Sequence, residues 1–249
     1  MAHLKDLKNR IYLTRIMAIP KFFHQNTVFI KNETLVLSKE EARHASQSRR
    51  LQVDDEVMVL NGQGMTAVGR FVELSKTKAI VLIEHIEQHK LPKKRIRIAS
   101  AIPKGSRQKV MIDMLTQCGV TDFIPLECEF SVVKINDKSI EKWRKLVIEA
   151  CKQSGNSFAM IVHPPISVEG LIASDMWQQS QVFMADQNAS NVQLSGSIYS
   201  LALIGPEGGF SDAEFTNLHA AGIEKIKLSP YILRTETAVV AAAFVLTNS

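Results

Sequence analysis

The sequence predicts an α/β protein in which a small β-barrel precedes a parallel sheet covered by helices. Three observations support this fold class. Short strand-like segments crowd the first third of the chain, strands alternate with helices after it, and a polar stretch around Pro92 separates the two patterns. Residues 1–16 form an extension without a motif. We therefore expect the barrel over residues 17–90 and the sheet over residues 91–249.

The predicted barrel consists of short strands separated by turn sequences. Asp54-Asp55 and residues 61–64 are typical turns. Ser38 precedes two glutamates, which predicts a short N-capped helix over residues 42–48. Barrels of this size often bind RNA, although the architecture alone does not imply it. The strands are expected at residues 27–30, 34–37, 56–60, 66–74 and 78–86.

The rest of the chain alternates between strands and helices, as in a parallel sheet whose strands are connected by helices. Ser211 and Glu214 predict a capping box for a helix that ends at Gly222. Strands are expected at residues 95–102, 122–126, 159–162, 181–185, 201–204 and 225–228. The other helices are expected at residues 109–118, 139–154 and 237–246. Their inward residues should be Val110, Met111, Met114, Leu115 and Cys118 in the first, and Ile140, Trp143, Val147 and Ala150 in the second.

Composition favours a cytoplasmic protein with an ordinary core. With 45% hydrophobic and 22% charged residues, the chain has no bias toward disorder. No apolar run reaches the roughly 18–20 residues of a membrane span, and the N-terminus lacks a secretory signal. We interpret Cys118, Cys128 and Cys151 as reduced core residues without a catalytic role, because their spacing fits neither a redox motif nor a metal site.

Positive charge is concentrated in one stretch, residues 90–109. It contains eight basic residues and no acidic residue, against a net charge of +5 for the whole chain. Such a run is either a solvated face or a contact surface for a polyanion, most simply RNA. Both interpretations stay open at this level.

Familiar catalytic and cofactor motifs are absent from the sequence. There is no GxGxxG after a strand, no phosphate-binding loop and no GxSxG turn. His85 and His89 have helical spacing but no third ligand, so we expect no metal site.

Two segments at the carboxyl ends of predicted strands could carry chemistry, because ligands bind there in open α/β sheets. Residues 203–210 read Leu-Ile-Gly-Pro-Glu-Gly-Gly-Phe, a bare backbone turn against which a planar ligand could lie. Residues 228–238 place Arg234 and Glu236 between an apolar loop and an apolar helix. We expect this helix to be almost wholly buried, and charged side chains beside it are costly. Arg234 and Glu236 must therefore either form ion pairs or have a functional role.

These two loops resemble the signature loops of the ribosomal RNA small-subunit methyltransferase E family, in the SPOUT class. The resemblance runs in order from about Met17 to the C-terminus. It also includes His44 with Arg50, Lys104-Gly105, Gly119-Val120, Pro125-Leu126 and residues 149–155. It implies a PUA-like N-terminal barrel, a SPOUT-type sheet with a C-terminal trefoil knot, a homodimer, and S-adenosylmethionine held by the knotted loops. The implied reaction is methylation of N3 of a uridine in 16S ribosomal RNA of the small subunit.

The resemblance and the chemistry together assign three sets of residues. Arg234 is expected to stabilise the uracil anion, with Glu207 or Glu236 as the base or as its ion-pair partner. The cofactor is expected to contact Met184, Leu203, Ile204, Gly205, Pro206, Glu207, Gly208, Gly209, Leu228, Ser229, Tyr231, Ile232, Leu233 and Thr235. RNA contacts are expected at His44, Arg49, Arg50, Lys104, Arg107 and Lys109.

The chain departs from the family pattern mainly where RNA contacts are expected. Phe130 and Asn156 stand where the family usually has arginine. The other departures are Ala18, Lys21, Gln117-Cys118 and Ser229. Two rival functions follow. One is another SPOUT activity such as ribose 2′-O-methylation, and the other is a ribosome-assembly factor that binds RNA without catalysis.

Overall fold

The computed structural model describes residues 19–189 and 197–248, so the expected extension and the departure at Ala18 lie outside the described residues. The chain divides into two compact units. One contains residues up to Leu91 together with Cys151–Phe158, and the other contains Pro92–Ala150 with Ala159–Ser249. None of the helices in the described residues is long and apolar enough to span a membrane.

The first unit contains a curled five-stranded sheet. Its order is β1-β3-β4-β5-β2, and β1 and β3 are parallel while the other neighbours are antiparallel. Phe22, Phe71 and Val81 belong to its buried core. The strands are β1 (Lys21–Phe23), β2 (Thr34–Val36), β3 (Glu56–Leu60), β4 (Met65–Leu74) and β5 (Ala79–Gln88).

A short helix between β2 and β3 confirms the predicted N-cap. Helix α1 (Lys39–Arg43) begins after Ser38, whose Oγ accepts the Glu41 N–H at 3.2 Å. It continues as a π-helical turn (His44–Ser48), so the helical region covers all of the predicted range and begins three residues before it. Ala42 and Ala45 are fully buried, which fixes this segment on the core of the unit.

The strand predicted at residues 27–30 is wrong. Val28 and Ile30 are exposed while Phe29 is buried, and this alternation imitates a strand. The segment has no strand partner, and the Asn61 side chain donates to the Thr27 carbonyl at 3.0 Å. The first strand is instead β1, which is too short to show a periodic pattern.

The second unit contains a parallel sheet of seven strands, as the alternation predicted. Its order is β12-β10-β11-β6-β7-β8, and β9 pairs with the end of β7. All pairings in this sheet are parallel. The strands are β6 (Arg95–Ser100), β7 (Asp122–Glu127), β8 (Ile161–Val162), β9 (Ile166–Ser167), β10 (Gln181–Ala185), β11 (Tyr199–Ile204) and β12 (Glu224–Ile226).

Six helices among the described residues follow α1. They are α2 (Arg107–Gln117), α3 (Asp137–Ser154), α4 (Val168–Ile172), α5 (Asp175–Gln178), α6 (Asp212–Ala220) and α7 (Thr235–Thr247). The predicted inward face of α3 is confirmed, since Ile140, Trp143, Val147 and Ala150 are all buried. The capping box of Ser211 and Glu214 is present in full at the start of α6. The short helices α4 and α5 were not predicted.

Two predictions of helix burial are confirmed only in part, although Met111 and Leu115 of α2 are buried as expected. In α2 the buried residues are Met111, Ile112, Leu115 and Thr116, whereas Val110 and Met114 are 48% and 42% exposed. The helix is therefore rotated from the predicted face by about one residue. Helix α7 was expected to be almost wholly buried, yet Phe244 is 62% exposed.

The cysteines lie in environments that suppress their reactivity. Cys128 and Cys151 are buried, and burial is the main cause that raises the pKa of each thiol to about 12. Burial also raises the pKa of the partly buried Cys118. Cys128 and Cys151 are core residues as expected, whereas Cys118 is only partly buried.

Candidate functional site

The carboxyl ends of β10, β11 and β12 surround a cavity of about 420 Å³. Three segments line it: the turn after β10, the Gly-rich loop after β11 (residues 204–210) and the loop before α7 (residues 228–235). This is the edge of a parallel sheet at which ligands bind, and the volume is typical of a small-molecule site.

The Gly-rich loop presents backbone rather than side chains. The Gly209 N–H donates to the Pro206 carbonyl at 2.9 Å, and Gly209 has a φ of 79°, a left-handed conformation that favours glycine. A Cβ atom on Gly205 would lie 3.1 Å from the Phe210 ring. The loop is therefore closed tightly, with little side-chain bulk toward the cavity.

The structure brings most of the predicted cofactor residues together. Met184 and Leu203 are the exceptions on the strands, since both are buried in the sheet. A Cβ on Gly208 would meet Phe130, and Gly208 is outside the cavity wall. Their assignment to the cofactor stays a prediction, as does that of the residues that do line the cavity: Ile204, Gly205, Pro206, Glu207, Gly209, Leu228, Ser229, Tyr231, Ile232, Leu233 and Thr235.

Sequence reasoning missed five cavity residues, namely Ala185, Asp186, Gln187, Phe210 and Ala238. The first three lie at the carboxyl end of β10, so the rule that located the other two loops could have found them.

Asp186 lies 2.8 Å from the Lys225 ammonium. The hydrogen bond from Lys225 is the main cause that holds the pKa of Asp186 below its ordinary value, so the cavity contains an ionised carboxylate at neutral pH.

The loop before α7 ends at Arg234, the N-cap residue of the helix. Its carbonyl accepts the Ala238 N–H at 2.8 Å, while its side chain is exposed and contributes to the cavity wall. Within the part of the chain that the structure describes, Arg234 has no ion-pair partner. Of the two alternatives that the sequence left open, an ion pair of Arg234 with Glu207 or Glu236 is absent from the described residues, and a functional role of Arg234 stays a prediction.

Arg107 instead pairs with both candidate carboxylates. Its Nη1 lies 3.5 Å from Glu236 Oε2 and 3.5 Å from Glu207 Oε1. Its Nε donates to the Lys104 carbonyl at 3.3 Å, which fixes the guanidinium at the start of α2. Arg107 was expected to contact RNA, and no local pattern in the sequence indicates that it meets the two glutamates.

The remaining residues assigned to RNA are mostly exposed. Lys104 and Lys109 are exposed in the second unit, and Arg49 and Arg50 are exposed in the first. His44 is half-buried, and its ring packs edge-on against Phe22 with 6.3 Å between centroids.

Fewer basic side chains of residues 90–109 are available for contact with RNA than the sequence indicated. Arg97 is buried and donates to the Met176 carbonyl and the Ser180 hydroxyl, both at 3.0 Å, and its guanidinium lies over the Tyr199 ring. Its role is to hold the sheet to α5. The exposed basic residues of this stretch are Lys90, Lys93, Lys104 and Lys109.

No cluster of three or more potential metal ligands occurs in residues 19–189 and 197–248. His89 contacts the Thr66 hydroxyl at 3.0 Å, and His85 is exposed. Both histidines have surface positions in the first unit.

Comparisons with known proteins place the chain among RNA methyltransferases. A model of the RNA methyltransferase domain matches residues 89–247, and a model of the RNA methyltransferase PUA domain matches residues 37–84. Ribosomal RNA small subunit methyltransferase E of Aquifex aeolicus is 31% identical over 88% of this chain and 96% of its own length. The protein of that name from Bacillus subtilis is 28% identical over 82% of this chain and 86% of its own length.

A solved structure of a protein with the same name has a similar fold. Ribosomal RNA small subunit methyltransferase E from Neisseria gonorrhoeae, bound to S-adenosylmethionine, has a TM-score of 0.84 and 25% identity, covering 92% of this chain and 97% of that one. The matched models and relatives cover both units of the structure, including the Gly-rich loop and the loop before α7. The chain belongs to the ribosomal RNA small subunit methyltransferase E family.

Proposed function

We propose that this protein transfers a methyl group from S-adenosylmethionine to N3 of a specific uridine in 16S ribosomal RNA. The observation that carries the proposal is the cavity formed by the Gly-rich loop and the loop before α7, the two segments on which the family resemblance rests. The Neisseria relative of matching fold binds S-adenosylmethionine, which supports the same ligand here.

The residues of the cavity fit the chemical groups of this cofactor. Bare backbone at Gly205 and Gly209, together with Phe210, suits the flat adenine ring. Asp186 supplies a negative charge, the sign that the cofactor's ammonium group requires. When bound, the cofactor supplies an electrophilic methyl group.

The chain's own residues must handle a proton and a negative charge. The proton on N3 of uracil is weakly acidic, so its removal leaves an anion shared with the two carbonyl oxygens. Arg234 has a fixed charge and a planar fork of donors at the lip of the cavity, which suits this anion. Glu207 and Glu236 are the candidate bases, and of the two Glu207 lines the cavity.

The test is nucleoside analysis of small-subunit RNA from cells that lack the gene. We expect one 3-methyluridine to be missing, and purified protein with S-adenosylmethionine to restore it on isolated small subunits. Loss of a 2′-O-methylated nucleoside would instead support the rival enzyme. An intact set of methylated nucleosides, with no cofactor affinity by calorimetry, would support the non-catalytic assembly factor.

Contacts with the small subunit involve exposed basic side chains of both units. We infer that Lys104, Lys109, Arg49 and Arg50 hold phosphates and that His44 contributes a partly exposed ring. We place this reaction in the cytoplasm, where 16S RNA is assembled into subunits. The trefoil knot stays a prediction from the family resemblance.

We further propose a homodimer formed through an apolar patch on α2 and α7. Val110, Met114 and Phe244 are 48%, 42% and 62% exposed on these two contacting helices. Exposed apolar patches of this kind are typical of subunit interfaces.

Light scattering should give twice the mass of the chain, and Phe244→Asp should give a monomer. Phe215→Asp is the matched control, because Phe215 is also exposed but lies under the Lys225 ammonium.

A further inference from the structure

The loop after β7 carries an exposed phenylalanine, Phe130, beside the Gly-rich loop. This residue is 47% exposed. A Cβ atom placed on Gly208 would lie 3.4 Å from the Phe130 Cβ and 3.7 Å from two of its ring carbons. The ring therefore lies against the bare backbone of Gly208, next to Glu207.

The backbone around Phe130 is held in place from both sides. Ser131 closes a turn onto Cys128, since its N–H donates to the Cys128 carbonyl at 2.9 Å and its Oγ accepts the Cys128 N–H at 3.0 Å. The Glu129 N–H donates to Glu214 Oε1 at 2.9 Å. The ring is exposed on an anchored loop, so ordering it on a ligand costs little entropy.

The same anchor ties Phe130 to the end of the Gly-rich loop. Glu214 is buried, and its other oxygen, Oε2, accepts the Ser211 N–H at 2.8 Å. One carboxylate thus fixes the loop of Phe130 relative to the segment that closes the cavity. Phe130 itself is outside the cavity wall. Its exposed face stays available when a cofactor fills the cavity, and a substrate must approach from outside.

Other exposed phenylalanines of the described residues have a different explanation. Phe215 lies under Lys225, with 4.9 Å from the ammonium to the ring centroid. Phe244 belongs to the apolar patch on α2 and α7. Phe130 is also a departure from the arginine that the family usually has. A neutral planar ring cannot hold a phosphate, but it can stack on a base.

We propose that Phe130 is a substrate-binding residue that stacks on the uracil to be methylated. This inference rests on the proposed function. A base must leave its stack before an enzyme can reach a ring atom, and an aromatic side chain replaces part of the lost stacking. Loss of one such base–aromatic stack weakens binding on the order of 10-fold or more.

The test compares three substitutions that separate stacking from simple packing. Phe130→Tyr keeps the flat ring, Phe130→Leu keeps apolar bulk against Gly208 without a flat ring, and Phe130→Ala removes both. The substrate is the small ribosomal subunit from cells that lack the gene. The measurements are KM for the subunit, kcat, calorimetric affinity for S-adenosylmethionine, and molecular mass by light scattering.

We expect the tyrosine variant to match the wild type. The leucine and alanine variants should both raise KM for the subunit about 10-fold or more, while cofactor affinity and mass stay unchanged. Equal KM values for the leucine variant and the wild type would overturn stacking, as would a change in mass or cofactor affinity that accounts for the loss. A wild-type protein that leaves the subunits unmethylated overturns the proposed function. If the wild type and the alanine variant methylate the subunits equally well, only the role of Phe130 is overturned.

Discussion

Arg107 Nη1 lies 3.5 Å from Glu236 Oε2, so an arginine at the start of α2 neutralises a carboxylate in the first turn of α7. The same nitrogen lies 3.5 Å from Glu207 Oε1 in the Gly-rich loop. Two carboxylates that share one cation would repel each other without it. Arg107 therefore couples three segments of the site, two of which line the cavity.

Replacing Arg107 should disturb the site more than the stability. Arg107→Gln should lower the melting temperature by about 2 to 4 °C, because Arg107 is partly exposed and solvent-screened ion pairs contribute about 1 kcal/mol. Methylation should fall about 10-fold or more because the glutamates lose their shared partner. Adding Glu236→Gln should then have less effect than it has alone. Lys142→Gln, at an exposed position of α3, is the control. Strictly additive effects of Arg107→Gln and Glu236→Gln would contradict the coupling.

Arg234→Lys tests the proposed catalytic arginine. Because Arg234 is exposed and has no ion-pair partner in the described residues, the variant should keep its melting temperature and its cofactor affinity. An ammonium cannot reproduce the planar fork, so the methylation rate should fall on the order of 100-fold. Single-turnover assays and calorimetry on the same preparation measure both effects. A less stable variant with a full rate per folded molecule would make Arg234 structural.

The two adjacent glycines of the Gly-rich loop provide a matched pair. Gly209 has a φ of 79°, so Gly209→Ala should cost about 1 to 2 kcal/mol and distort the cavity wall. Gly208 has no such conformation, and a Cβ there would make an ordinary contact with Phe130. The sequence assigned both glycines to the cofactor, and the structure predicts that substitution of Gly209 is the more harmful. Calorimetry should show weaker S-adenosylmethionine binding for Gly209→Ala and near-normal binding for Gly208→Ala.

The exposed lysines near the site should determine part of the salt dependence of RNA binding. Lys104→Glu with Lys109→Glu should weaken binding to small subunits. It should also reduce the slope of log K against log salt by roughly 0.7 to 0.9 for each phosphate that the variant no longer binds. Lys90→Glu with Lys93→Glu is the control, because it changes the charge equally at the start of the basic stretch. If both pairs change the slope equally, the stretch acts through general charge.

Local signals predicted the fold better than they predicted the site. Ser211 and Glu214 indicated their helix because a capping box acts over three residues, and α3 showed its buried face through a regular period. The Gly-rich loop was visible for the same reason. The contact between Arg107 and Glu236 joins residues 129 positions apart, and no local pattern encodes it.

The misassigned elements show the same limit. Residues 27–30 alternate in burial without a strand partner, and only tertiary contacts such as the Asn61 bond to Thr27 decide that they form a loop. Apolar Val110 and Met114 were placed inward by a pattern that cannot distinguish a core from a surface patch. Whether an apolar residue is buried depends on its neighbours in space as well as on its place in the periodic pattern of the helix.

Asp122, at the start of β7, should make stability depend on acid pH. Burial alone would raise its pKa, but hydrogen bonds to His163 and Thr121 and the charges of His163 and Arg95 hold the pKa below its ordinary value. Oδ1 lies 2.9 Å from His163 Nε2, and Oδ2 accepts the Thr121 hydroxyl at 2.7 Å. A depressed carboxyl pKa stabilises the fold above the unfolded value, and this contribution is lost as the pH falls through the folded pKa.

Asp122→Asn removes this charge and keeps the size of the side chain. We expect the variant to lose about 1 to 3 kcal/mol of unfolding free energy near neutral pH, the usual effect of hydrogen bonds to a charged group. The difference from the wild type should shrink as the pH falls below about 4, where Asp122 of the unfolded chain becomes protonated, and it should vanish once the pH passes the lower pKa of folded Asp122. Denaturant unfolding across this pH range measures it, with Asp113→Asn on α2 as the control. A difference that stays constant down to the lowest pH would show that Asp122 acts through packing and neutral hydrogen bonds, without its charge.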